Sequence, residues 1–109
     1  MLNRGLVVVS PKEPFRLWLM SLPEPVEVSL EEINEDRSAY LVTEFEDDKQ
    51  RDRVLRKSFK MIFEDQLVNW WTSEDDWPKK RDLLTFRKWF DLQFHSAVED
   101  LGHGELVDN

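Results

Sequence analysis

The spacing of apolar residues changes character several times along the chain, and each change marks an element. Leu6-Val7-Val8-Val9 is a continuous apolar run bounded by Gly5 and Pro11. A run of that kind predicts a strand over Gly5 to Ser10 covered on both faces. Beyond Pro11 and Pro14 the period lengthens: Phe15, Trp18, Leu19 and Leu22 recur at i, i+3, i+4 and i+7 and share one face of a helix. Either proline suits its first turn, where a missing N–H costs nothing. Pro23 and Pro25 end it. From Glu27 to Asp36 only Val28, Leu30 and Ile33 are available for burial, and no regular element is predicted there.

Ser38 to Phe45 returns to a period of two, with Ala39, Leu41, Thr43 and Phe45 on one face and Tyr40, Val42 and Glu44 on the other, as in a second strand. At Asp47 the period changes again. Leu55, Phe59, Ile62, Phe63, Leu67 and Trp70 recur at three- and four-residue steps, predicting a long amphipathic helix over 47–71. Asp47/Arg51 and Asp52/Arg56 place an acid four residues before a base, an order that contributes ~0.2–0.5 kcal/mol per pair. A loop over 72–82 surrounds Trp77-Pro78. Leu83, Phe86 and Phe90 then resume helical spacing behind Asp82 as N-cap. After Asp91 the pattern alternates: Leu92, Phe94, Ser96 and Val98 face one way, and Gln93, His95, Ala97 and Glu99 the other. That predicts a third strand, with continuation of the helix through Phe94 as the competing reading.

Three strands need a helical layer to bury an apolar face. The expected fold is therefore α+β, a two-layer sandwich of a small three-stranded sheet packed with three helices; a mainly α bundle is the alternative. One globular domain over residues 1–109 is expected, with a polar tail from about 102. The length of 109 residues and an apolar fraction of 40% suffice for one core. With no cysteine there is no disulfide, thiolate zinc site or cysteine nucleophile. The longest apolar run, Leu6 to Val9, falls far short of the ~20 residues that cross a bilayer, or of a signal-peptide core. These features point to a soluble, cytoplasmic protein with no membrane association.

Charge sharpens this picture. The formal net charge is −8, but it is striped. Glu27 to Asp48 holds nine carboxylates and one cation, and Lys49 to Lys60 holds six cations and one carboxylate. Lys49, Arg53, Arg56, Lys57 and Lys60 belong on the solvent side of the long helix, where the preceding acidic segment could partly neutralise them. Alternatively the stripes steer a partner.

Candidate chemistry is sparse. On a helix Asp91 and His95 would meet and could serve acid–base chemistry, but on a strand they stand ~13 Å apart. Glu44, Glu46 and Asp48 recur at steps of two and could offer oxygen ligands to a hard cation, and His103 with Glu105 forms a second candidate metal pair. Three glycines, Gly5, Gly102 and Gly104, cannot build a phosphate-cradling loop. There is no nucleophile elbow, and no cofactor is implied. Lys79, Lys80 and Arg81 beside Trp77, then Arg87 and Lys88 beside Trp89, resemble a single-strand nucleic-acid grip, against which the net charge weighs. Trp18, Trp70 and Trp89 fit the apolar stripes. Trp71 and Trp77 fall at a helix end and in an acidic loop, as partly exposed interface anchors would.

Asn3-Arg4-Gly5, Pro11-Lys12, Pro14-Phe15, Trp18, Trp77-Pro78, Arg81, Trp89-Phe90-Asp91 and His95-Ser96 together resemble a small uncharacterised family of bacterial proteins. The resemblance covers most of the chain and carries no activity or site with it. The function expected is a non-catalytic protein–protein interaction or regulatory module. It would attract a basic partner through Glu31, Glu32, Glu35 and Asp36 and bury Trp71 or Trp77 against it. A small hydrolase or metal-dependent enzyme using Asp91 and His95 is the alternative, and homo-oligomerisation a third reading.

Overall fold

The computed structural model describes residues 3–102 and residue 104. Its three strands, β1 (Arg4–Pro11), β2 (Ser38–Thr43) and β3 (Phe90–His95), form an antiparallel sheet in the order β2-β1-β3. Four helices accompany them: α1 (Glu13–Met20), α2 (Leu30–Ile33), α3 (Asp48–Val68) and α4 (Leu83–Trp89). The arrangement is the expected α+β two-layer sandwich and not a helical bundle, with α2 as an addition.

The register explains which side chains meet the helices. Gly5 pairs with Val42, Val7 with both Tyr40 and Phe94, and Val9 with Leu92, and this face carries the core. The opposite face presents Leu6 beside Leu41 and His95, and Val8 beside Ala39 and Gln93. β1 is therefore not covered on both faces as its run of valines suggests. Val7 and Val9 are buried while Leu6 and Val8 are half-buried, because the helices pack on one side only and neighbouring strands alone shield the other.

Phe63 on α3 organises the core. Its ring lies 5.4 Å from Phe90, 5.6 Å from Trp89 and 5.7 Å from Phe86, in tilted and edge-on arrangements that add to simple area burial. Phe15 of α1 joins through Phe90 at 5.4 Å. α4 passes into β3 without a loop: Phe90 already has extended geometry, and the carbonyl of Trp89 accepts a hydrogen bond from the Lys12 N–H at 2.8 Å.

β3 begins at Phe90, expected in the preceding helix, and ends at His95 although alternation continues to Glu99, and three further differences from the expected elements have local reasons. α2 forms where no element was predicted. The Ser29 side chain accepts from the Glu32 N–H, the Glu32 carboxylate accepts from the Ser29 N–H, and Ile33 is buried beneath them. This reciprocal cap is legible as Ser-x-x-Glu. β2 stops at Thr43, so Phe45 does not continue the face of Leu41. Its ring instead lies over Gly5, where it leaves no room for a Cβ, and meets Phe94 edge-on at 5.9 Å. α3 starts behind Asp47, whose carboxylate accepts from the Gln50 N–H at 2.8 Å, and ends at Val68. With Asp47 used as a cap, Arg51 turns to Asp48 (3.4 Å) and Asp52 (3.6 Å). Asp52 reaches Arg87 at 3.9 Å, and the expected Asp47/Arg51 and Asp52/Arg56 pairs do not form.

Candidate functional site

The chemical candidates do not converge. Asp91 and His95 both lie on β3, exposed on the open face, opposite Ser10 and Leu6 of β1. Four strand steps separate them by ~13 Å, so neither can orient or deprotonate the other. The hydrolase reading loses its only pair. Among the described residues no group of three or more His, Asp or Glu side chains could hold a metal ion. Asp48 pairs with Arg51, the Glu46 N–H donates to the Gln50 side chain at 2.8 Å, and Glu44 lies at the exit of β2. These three carboxylates do not make the cation site that their spacing allows. His103 and Glu105 lie outside the described residues. No helix among the described residues is long and apolar enough to cross a membrane.

The tryptophans exchange roles. Trp77 is only 6% exposed and belongs to the core, whereas Trp70, expected there, is 37% exposed beyond the end of α3. The Trp77 indole donates to the Trp71 carbonyl at 2.7 Å, the Trp71 indole to the Asp76 carboxylate at 3.0 Å, and the Trp18 indole to the Asp76 carbonyl at 2.9 Å. Arg81 lies 5.7 Å from the Trp77 ring. These bonds fasten the loop 69–82 to α1, and they leave Trp77 no face for a partner to bury. Trp71 stays half-buried. Glu31, Glu32, Glu35 and Asp36 are exposed on α2 and just after it, with Glu32 engaged in the cap.

The charged residues that do share a surface are basic. Lys49, Arg53, Arg56, Lys57 and Lys60 are all exposed on α3. At 100° per residue they fall within an arc of ~100° and span ~16 Å of helix. Among the described residues no ion pair engages any of the five, and the acidic segment before them does not fold back to neutralise them.

This stripe borders a groove between α3 and the free side of β2. Two adjoining depressions of about 270 and 500 Å³ share Thr43, Lys57 and Ser58. Arg53 and Glu44 line one of them, and Arg4, Val42, Met61 and Asp65 line the other. Leu41 and Met61 border the groove at 47% and 78% exposure. Beneath it the Tyr40 hydroxyl donates to the Asp65 carboxylate at 2.5 Å and accepts from the buried Gln66 amide at 2.8 Å, tying the strand to the helix. Burial, reinforced by the adjacent Asp65 carboxylate, pushes the Tyr40 phenol up to about 12.

The expected sites omit Leu41 and Met61. The signal for them was the absence of charge and proline from Ser38–Thr43, which becomes meaningful only once β2 is known to be an edge. Comparison of the chain with protein-family models, with curated proteins and with solved structures returns no match.

Proposed function

We propose that the chain is a non-catalytic protein-binding module whose basic α3 stripe docks an acidic partner. The observation that carries this reading is the alignment on one rigid 21-residue helix of five exposed cations that have no ion pair among the described residues. Holding them on a preformed helix lowers the ordering cost of binding. The net charge of −8 opposes an acidic partner only at long range. At physiological ionic strength charge is screened over ~8 Å, about half the ~16 Å length of the stripe, so a docked partner responds mainly to the local cations.

The two effects have opposite salt signatures. A partner governed by the stripe binds more weakly as salt rises; one governed by net charge binds more tightly. The test is the affinity of a fluorescein-labelled decaglutamate for the full chain and for R53E/K57E/K60E, measured across ionic strength. Binding that weakens with salt, and weakens by about tenfold or more in the variant, supports the reading. Binding that rises with salt, or is unchanged in the variant, overturns it.

A second reading rests on the exposed carboxylates Glu31, Glu35 and Asp36, which would favour a basic partner. They lie on and just after a helix of four residues, a less preorganised platform than α3. E31K/E35K distinguishes it, because that change weakens only a partner held by the acidic segment.

A further inference from the structure

β1 occupies one side of β2, and among the described residues no strand pairs with the other. Alternate residues of β2 therefore direct an N–H and a C=O outward. Natural edge strands are commonly blunted by charge, proline or a covering element. Ser-Ala-Tyr-Leu-Val-Thr carries neither charge nor proline, and beside it lies an open groove.

We infer that this groove receives an extended acidic segment of a partner protein, which adds to β2 as a fourth strand. The inference rests on the basic stripe of the proposed function and specifies how the partner is held. An added strand would lie ~4.8 Å from β2, with side chains alternating between the two faces of the sheet. Those directed toward α3 approach Arg53 and Lys57, which suit carboxylates. Those directed to the open face extend the strip formed by Leu6 and Leu41, which suits apolar residues. The recognised segment is thus one that alternates acidic and apolar residues.

Charge separates this occupant from its competitors. The groove lining holds Arg4, Arg53 and Lys57 against Glu44 and Asp65, and Asp65 is already engaged by Tyr40. A second copy joined edge to edge would bring the α3 cations of both copies to one seam, where like charges repel. A nucleic acid could answer the cations but has no amide ladder to offer the strand.

The test uses the full chain and a ten-residue peptide alternating glutamate and valine. Two control peptides accompany it, one N-methylated at every residue and one with lysine in place of glutamate. Affinity is read by fluorescence anisotropy, and hydrogen exchange is followed at Ala39 to Thr43. The expected result is binding about tenfold or more weaker for each control, with slower exchange at alternate β2 amides in the presence of the first peptide. Equal binding of the N-methylated peptide overturns strand addition while leaving the basic stripe intact as a docking surface. Failure of both this peptide and decaglutamate to bind overturns both proposals. Protection of β2 accompanied by a doubled solution mass, without peptide, assigns the edge to a second copy and overturns the inference. Displacement of the peptide by an oligothymidylate that leaves β2 exchange fast does so as well.

Discussion

The two edges of the sheet carry similar numbers of cations and use them differently. At the β3 edge Lys12, Arg51 and Arg87 line a cleft of about 280 Å³ together with Phe90, Asp91 and Phe94. Arg51 lies 5.4 Å from the Phe94 ring and is paired with Asp48 and Asp52, and Asp52 also reaches Arg87. With Asp91 in the wall, this edge is balanced by its own carboxylates. At the β2 edge Arg53 and Lys57 have no ion pair among the described residues, and the strand between them and the open face is uncharged. On the proposed function, clustered charge alone does not mark a docking surface. The proposed surface combines charge with no ion pair among the described residues and a strand edge with no ladder among them.

Both edges depend on the same support, and its loss should produce the largest effect. Phe63→Ala removes the ring that joins α3 to α4 and β3, and its expected cost is ~3–5 kcal/mol in urea unfolding. A cost below about 1 kcal/mol would show that α3 is not pinned at this point and that the groove has no rigid wall.

The next effect is specific to the β2 edge. Tyr40→Phe leaves the buried Gln66 amide without its acceptor and is expected to cost ~1–3 kcal/mol. The same phenol gives the molecule a distinctive pH dependence. Tyr40 is the chain's one tyrosine, so tyrosinate absorbance reports it alone. In the folded protein it should ionise near 12, against ~10 in the unfolded chain. Between those values the folded state retains a proton that the unfolded state has lost, so the stabilisation is complete below pH ~10 and declines as pH rises through the folded pKa. Ionisation near 10 in the folded protein would remove the link between Tyr40 and α3.

The smallest effects compare the edges directly. Arg51→Ala forfeits its position on Phe94 and two partly exposed ion pairs, together worth ~0.5–1.5 kcal/mol. Lys57→Ala on the other edge should change stability by no more than ~0.5 kcal/mol. Reversal of that order in matched unfolding curves would dissolve the distinction between engaged and available charge.

Much of the fold is legible in the residue pattern. The period of two over Ser38 to Thr43, the helical spacing from Leu55 to Leu67 and the change of period near Asp91 each depend on local geometry, and each appears close to its expected place. Long-range choices are not legible in that way. Trp70 fits the stripe of α3, but the helix ends at Val68 and Trp77 takes the buried place. Nor does spacing reveal which acids reach which bases. Asp47 is consumed as a cap, Asp52 turns to Arg51 and Arg87, and Glu31 on α2 and Glu35 just after it stay exposed, so among the described residues the basic stripe has no ion pair. The availability of β2 likewise depends on the order β2-β1-β3, which long-range pairing decides.

The most direct measurement is a residue-resolved amide titration of the full chain with the alternating glutamate–valine peptide. The largest shifts are expected on Tyr40 to Thr43 and on Lys49 to Met61, diminishing as salt is raised. Largest shifts on Phe90 to Phe94, or on Leu30 to Asp36, would contradict the proposed docking.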